Sequence, residues 1–205
     1  SAAESIPFKS IDEDGLMALG NKKYSIMLEF SDKNYIQADE PKQKDIWSEW
    51  CMLLNSLDLE ADYQMVFFNR KKDVEYLAKH LEMEAKDSEN KVIVDELNQF
   101  QKNILLTGNK GLDKSRYFII TFSAPYYKAK SKAKEIKDRV VDEFMDKLEV
   151  EARMLNGYER LSVLFLMLNP YKDEKFIFNW DVAKNGGISE KEQITNHAFE
   201  FGKCR

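Results

Sequence analysis

Between Pro125 and Asn156 the chain places apolar residues at Ala129, Ala133, Ile136, Val140, Phe144, Leu148, Ala152 and Leu155. Steps of three and four put all of them on one side of an α-helix. Pro125 suits the start of such a helix and Asn156-Gly157 its end. At 1.5 Å per residue, a helix over 125–155 is about 45 Å long and crosses a small domain completely. It should cover one whole face of a sheet.

The strands for that sheet are legible. Tyr117-Phe118-Ile119-Ile120-Thr121-Phe122 and Tyr63-Gln64-Met65-Val66-Phe67-Phe68 are apolar on both faces, which predicts central positions. In Lys23–Phe30, Tyr24, Ile26, Leu28 and Phe30 alternate with Ser25, Met27 and Glu29. With Leu16 to Leu19 and the Gly20-Asn21-Lys22 loop this reads as a hairpin. After Ser31-Asp32 and Pro41, the residues Ile46, Trp47, Trp50, Leu53, Leu54 and Leu57 mark an amphipathic helix. Its stripe of Trp47, Trp50 and Leu54 is expected to face the sheet.

A short helix is expected at Val74 to Leu81, inside a charged segment. Val94, Leu97, Phe100 and Ile104 define another, stopped by Gly108. Leu161, Leu164, Phe165 and Leu168 define a third, stopped by Asn169-Pro170. Phe176 to Trp180 alternates like a strand, and Ile194 to Phe201 reads as the start of one more. Strands and helices are mixed rather than strictly alternating, which predicts an α+β fold. Its sheet is mixed and mostly antiparallel, ferredoxin-like in tendency, with helices packed on one face.

Composition bounds function. A net charge of −5 and a pI near 5.3 argue against a protein whose main task is neutralising phosphates. Cys51 and Cys204 make no disulfide framework, and a reducing compartment is the simpler expectation. The longest apolar run, Leu161 to Leu168, is far shorter than the roughly 20 residues a membrane-spanning helix needs. Ser1-Ala2-Ala3-Glu4 lacks the basic-then-apolar order of a signal peptide. The missing initial Met suggests an expressed segment of a longer protein.

No stretch carries a complete catalytic constellation. Gly108 to Ser115 ends in Lys114-Ser115 after glycines, but Asp113 stands where a phosphate loop needs glycine. A helix precedes and a strand follows, the reverse of the order that aims backbone N–H groups at phosphates. Asp12-Glu13-Asp14-Gly15 reads as a turn without calcium-loop spacing. His80 and His197 stand at no metal-ligand spacing. Cys51 reads as a buried, unreactive thiol. The pairs Phe67-Phe68 and Tyr117-Phe118 could imitate an RNA-stacking sheet, but core burial is the expectation. The basic residues Lys128, Lys130, Lys132 and Lys134 open the long helix, and Arg70, Lys71 and Lys72 follow a strand. The basic run on the helix reads first as a solvated face, and exposed charge beside apolar elements makes these seven the candidate contacts with a partner or membrane.

A set of segments in one order resembles a known family. These are Ser5-Ile6-Pro7-Phe8, Asp14-Gly15, Glu29-Phe30-Ser31-Asp32 with Asn34-Tyr35, Trp50-Cys51 with Leu54-Asn55, and Phe67-Phe68-Asn69. Further along come Gly108-Asn109-Lys110-Gly111-Leu112 with Lys114 and Tyr117, then Leu155-Asn156-Gly157-Tyr158-Glu159-Arg160-Leu161 and Phe176 to Asp181. Together they resemble the start of VirB-type conjugation ATPases of the CagE/TrbE/VirB family, closest to the TraE-like members of Gram-positive conjugative elements. The resemblance implies residues 1–205 as one N-terminal assembly domain of a type IV secretion ATPase, with 171–205 beginning a connecting segment.

It implies no catalytic, cofactor or metal residue here, ATP and magnesium belonging to a C-terminal motor domain. It also implies a cytoplasmic location, peripheral at the inner face of the membrane. The implied partners are conjugation-channel membrane subunits, with homo-oligomerisation in the full-length protein and no direct nucleic-acid contact. A nucleic-acid- or nucleotide-binding domain acting through its sheet is the competing expectation.

Overall fold

The computed structural model describes residues 2–58, 60–71, 91–106, 112–169, 176–185, 187 and 189–195. A 3-10 turn, Ala2–Ser5, leads into strands β1 (Ser10–Ile11), β2 (Met17–Gly20) and β3 (Lys23–Phe30). Helix α1 (Glu40–Ser56), strand β4 (Ala61–Lys71), helix α2 (Lys91–Leu106) and strand β5 (Leu112–Ser123) come next. The chain ends with α3 (Tyr126–Leu148), β6 (Ala152–Met154), α4 (Gly157–Leu168), α5 (Trp180–Lys184) and α6 (Glu190–Ile194). It divides into two compact units, Ser1–Val66 with Arg116–Arg205, and Phe67–Ser115.

The fold is α+β around a six-stranded sheet in the order β1-β2-β3-β5-β4, with β6 also paired to β3. The pairings β1–β2, β2–β3, β3–β5 and β3–β6 are antiparallel. β5 runs along one edge of β3 from Lys23 to Glu29. β2 takes Lys23 to Ser25 and β6 takes Leu28 to Phe30, so these two share the other edge.

Alternation sends Ile26, Leu28 and Phe30 of β3 and Phe118, Ile120 and Phe122 of β5 into one core. α3 covers it with Ala129, Ala133, Ile136, Val140, Phe144 and Leu148, the stripe its spacing predicts. Phe144 lies at the centre, 5.2 Å from the Phe30 ring and 5.3 Å from Phe118, with Trp50 of α1 edge-on at 6.2 Å. Each such ring contributes on the order of 1.5–3 kcal/mol by burial.

The opposite face of β3 has its own cover. Phe8, Ile11, Met17, Leu161 and Ile194 form a second core, with Phe165, Phe176, Phe178 and Trp180 packed against it. Helices on one face therefore describe α1 and α3, while α4 meets the other. Arg160 of α4 is only 4% exposed. It donates from Nη1 to the carbonyl oxygens of Gly15 (3.0 Å) and Ser25 (2.6 Å), and from Nη2 to Ser25 Oγ (2.6 Å). Burial pushes its pKa down to about 9, which leaves a cation at neutral pH.

Two glycines make this joint possible. Gly15 adopts φ +90°, and a Cβ there would run into the Leu155 carbonyl. A Cβ on Gly157 would strike the Asp12 carbonyl and lie 2.7 Å from the Trp180 ring. Asn156 and Glu159 then close a capping box on α4, each side chain accepting from the other's N–H at 2.9 Å. Arg153 of β6 ties Glu159 (2.8 Å) to Glu29 (2.6 Å).

Several expectations need correction. The long helix stops at Leu148 rather than near 155, because Glu149 turns left-handed at φ 53° and its N–H returns to the last turn. The chain then extends as β6. In α1 the buried stripe is Ile46 and Leu53 beside Trp50 and Leu57. Trp47 and Leu54 are 70% and 51% exposed. β4 lies at the end of the strand order rather than in its middle, and Phe67 is 63% exposed. Within the second unit α2 forms as expected, yet Leu97 and Phe100 of its stripe are exposed. Phe176 to Asn179 is not a strand; its rings stack, and Trp180 opens α5. Ile194 ends α6. The expected helix at Val74 to Leu81, both histidines, Cys204 and residues 196–201 lie outside the described residues.

Arg160→Ala should lower the unfolding free energy in urea by at least about 3 kcal/mol, since three buried acceptors lose their donors. Arg160→Lys should lose less, and Gly157→Ala about 2 kcal/mol or more from the clash. Losses below about 1 kcal/mol for both Arg160→Ala and Gly157→Ala would show that this joint does not hold the fold.

Candidate docking site

α3 begins where β5 ends, and its first turn has a strongly polar and aromatic character. Pro125 is the N-cap residue in extended conformation, and no acidic side chain stands in the first turn. Tyr126 and Tyr127 point away from the buried stripe and are 88% and 79% exposed. Lys128 is next, with its ammonium 5.9 Å from the centre of the Tyr127 ring.

The expected contact residues separate into distinct situations. Lys130 bridges Asp12 (2.9 Å) and Asp14 (3.5 Å) of the β1–β2 turn. The Asp12 hydrogen bond and the two carboxylate charges hold its pKa above the usual lysine range. Lys132 donates to the Ser123 carbonyl (3.3 Å) and lies 3.7 Å from Glu60. These two cations are already engaged by the domain itself. Lys128 and Lys134 remain exposed. Arg70 is exposed on β4 in the second unit, Lys71 ends that strand, and Lys72 lies outside the described residues.

Beside the first turn of α3 is a groove of about 330 Å³. Ser10, Ala18 and Tyr24 stand directly opposite one another across β1, β2 and β3, and Phe122 of β5 continues the row. Partners in such a row share one face of the sheet. α3 covers the Phe122 end; the Ser10 and Ala18 end is open. Leu16 and the small side chains of Ala18 and Ala129 leave the space, Tyr24, Tyr126 and Tyr127 give it aromatic walls, and Asp12 with Lys130 forms one rim.

Sequence reading found Lys130 but missed the tyrosines and treated Asp12 and Asp14 as turn formers only. The available signal was Tyr126-Tyr127 lying outside the helical core stripe. Among the described residues, no group of three or more histidine, cysteine or acidic side chains is arranged to hold a metal ion. Cys51 is a free, half-buried thiol on α1. Of the stretch Gly108 to Ser115, Asp113, Lys114 and Ser115 lie within β5, and residues 107–111 lie outside the described residues. No helix among the described residues is long and apolar enough to cross a membrane. The chain matches no protein-family model, and no curated protein matches its sequence.

Because Lys130 and its carboxylate partners are exposed, Lys130→Ala should change the unfolding free energy by less than about 1 kcal/mol. The raised pKa means that the pair's contribution is complete below the ordinary lysine pKa and fades only as pH rises through the higher folded value. Urea midpoints of wild type and Lys130→Ala should therefore run parallel between about pH 6 and 9. Divergence across that range would mean that another titrating group faces Lys130.

Proposed function

We propose that the chain is a docking domain, non-catalytic in itself, that joins a conjugative-transfer ATPase of the VirB type to the membrane subunits of its channel. Collinear likenesses from Ser5 to Asp181 support the family reading. The observation that carries the docking reading is the corner at the start of α3. Tyr126 and Tyr127 are turned out to solvent there, and exposed tyrosine is what protein interfaces favour; Lys128 and Lys134 beside them are exposed cations suited to an anionic lipid surface. On this reading the domain works at the inner face of the membrane, sister subunits associate in the full-length protein, and ATP with magnesium is handled by the motor domain.

The sheet-binding alternative has less support. Tyr117 and Phe118, the rings a stacking platform on β5 needs, are 5% and 1% exposed.

Reversing Lys128 and Lys134 to Glu in the full-length protein should reduce its membrane-bound share severalfold in cell fractionation. Lys130 and Lys132 are left alone because they are already paired. Unchanged recruitment would count against this corner as the docking surface. The reading frame beyond Arg205 should continue into a glycine-rich loop ending in Lys-Ser or Lys-Thr; a stop codon there would overturn the ATPase assignment. Calorimetry of the 205-residue chain with ATP and magnesium should show no binding heat, and measurable binding would favour the competing class.

A further inference from the structure

We infer that the groove between the β1–β2 hairpin and the first turn of α3 receives a proline-rich, extended segment of a partner protein, with a basic residue of that segment at the Asp12–Asp14 end. The inference rests on the docking reading and adds the chemistry of what docks.

At about 330 Å³ the groove is at the low end of pocket sizes for small ligands, and it holds a few residues of a peptide rather than a folded surface. Tyr126, Tyr127 and Tyr24 present rings for flat, rigid apolar groups, and their hydroxyls can donate to carbonyl oxygens. A polyproline II segment offers both, because its rings project and its carbonyls are unpaired within the segment. It also enters already ordered, so little conformational entropy is lost on binding.

Other occupants fit less well. A helix keeps its carbonyls in its own ladder and leaves the phenol hydroxyls without acceptors. An added β-strand needs an edge to pair with, and β1 is two residues long. An anionic membrane surface would meet the Asp12 and Asp14 carboxylates beside a concave site. An acidic peptide would meet the same charges.

Charge fixes the orientation of the bound segment. Asp12 and Asp14 share one ammonium, that of Lys130, which leaves a carboxylate charge in excess. Lys130 stands where an arriving arginine or lysine would add a second cation, so the free domain already fills half of that place with its own side chain. A basic residue of the ligand therefore belongs at the hairpin end, beside this excess carboxylate charge.

The test uses fluorescein-labelled proline decamers with one terminal Arg, the same decamers with Glu in place of Arg, and a Gly-Ser decamer with Arg. Vesicles of phosphatidylglycerol form a further arm, and the whole chain is titrated against each. The Arg-proline peptide should bind measurably and more tightly than the other three. Tyr126→Ala and Tyr127→Ala should each weaken it roughly tenfold, as expected for aromatic anchors. Asp12→Asn should erase the preference for Arg over Glu while leaving proline binding in place. Tyr126 and Tyr127 are too exposed to be needed for folding, and circular dichroism checks that each variant folds.

No binding of the proline peptides, equal binding of the Gly-Ser peptide, or binding only of the Glu peptide or the vesicles would overturn the inference. Failure here with intact charge-dependent recruitment in cells would refute the peptide site and leave the docking reading. Peptide binding together with unchanged recruitment of the charge-reversed protein would do the opposite.

Discussion

The interaction on which most of the first unit depends is the buried guanidinium of Arg160. It joins the turn before β2, through Gly15, to the first residues of β3, through Ser25, and it does so from a helix on the far side of the sheet. All three acceptors are neutral oxygens, so the site carries a charge in a place where charge is costly. An apolar side chain would remove that cost but leave the Gly15 and Ser25 carbonyls unmet. Arginine, with several donors in one fixed plane, answers the turn and β3 at once.

The influence of this joint extends to the other face. The turn that Arg160 holds at Gly15 also presents Asp12 and Asp14, and these carboxylates face Lys130 on α3. The acidic rim of the groove is therefore fixed from behind by α4 and met from the front by α3. Glu13, between them, pairs with Lys184 of α5, and its carbonyl accepts from the Gly157 N–H (2.9 Å). One short turn thus takes part in both layers, which explains why glycine is needed on each side of the contact.

Much of the architecture was legible in the sequence because burial on both faces of a strand leaves a plain pattern. β5 was readable for that reason, β3 from its alternation and the stripe from Ala129 to Leu148 from its steps of three and four, whereas the same two-faced run in β4 pointed to a central place it does not hold. The end of α3 was not. After Leu148 the residues Val150, Ala152 and Met154 alternate as a strand, yet Ala152 and Leu155 also continue the helical spacing, and the stop falls on Glu149 rather than a glycine. In α1 two stripes share Trp50, one through Trp47 and Leu54 and one through Ile46 and Leu53. Only the contacts of Trp50 with Phe30 and Phe144 decide between them. The groove was invisible because its rim comes from Asp12 and Lys130, residues far apart in the chain that only the fold brings together.

The division of one edge of β3 between β2 and β6 bears on the fate of the chain under stress. Lys23–Phe30 is a segment able to stack with copies of itself, being largely apolar, charged only at Lys23 and Glu29, and free of proline. In the native state its partners on both sides are already seated, and no run of it is offered to a neighbouring molecule. β6 is the weak link in that protection, since it is only three residues long and is held by Arg153 and the start of α4. Loosening that corner would uncover Leu28 to Phe30 before the rest of the sheet opened, making it the natural starting point for self-association.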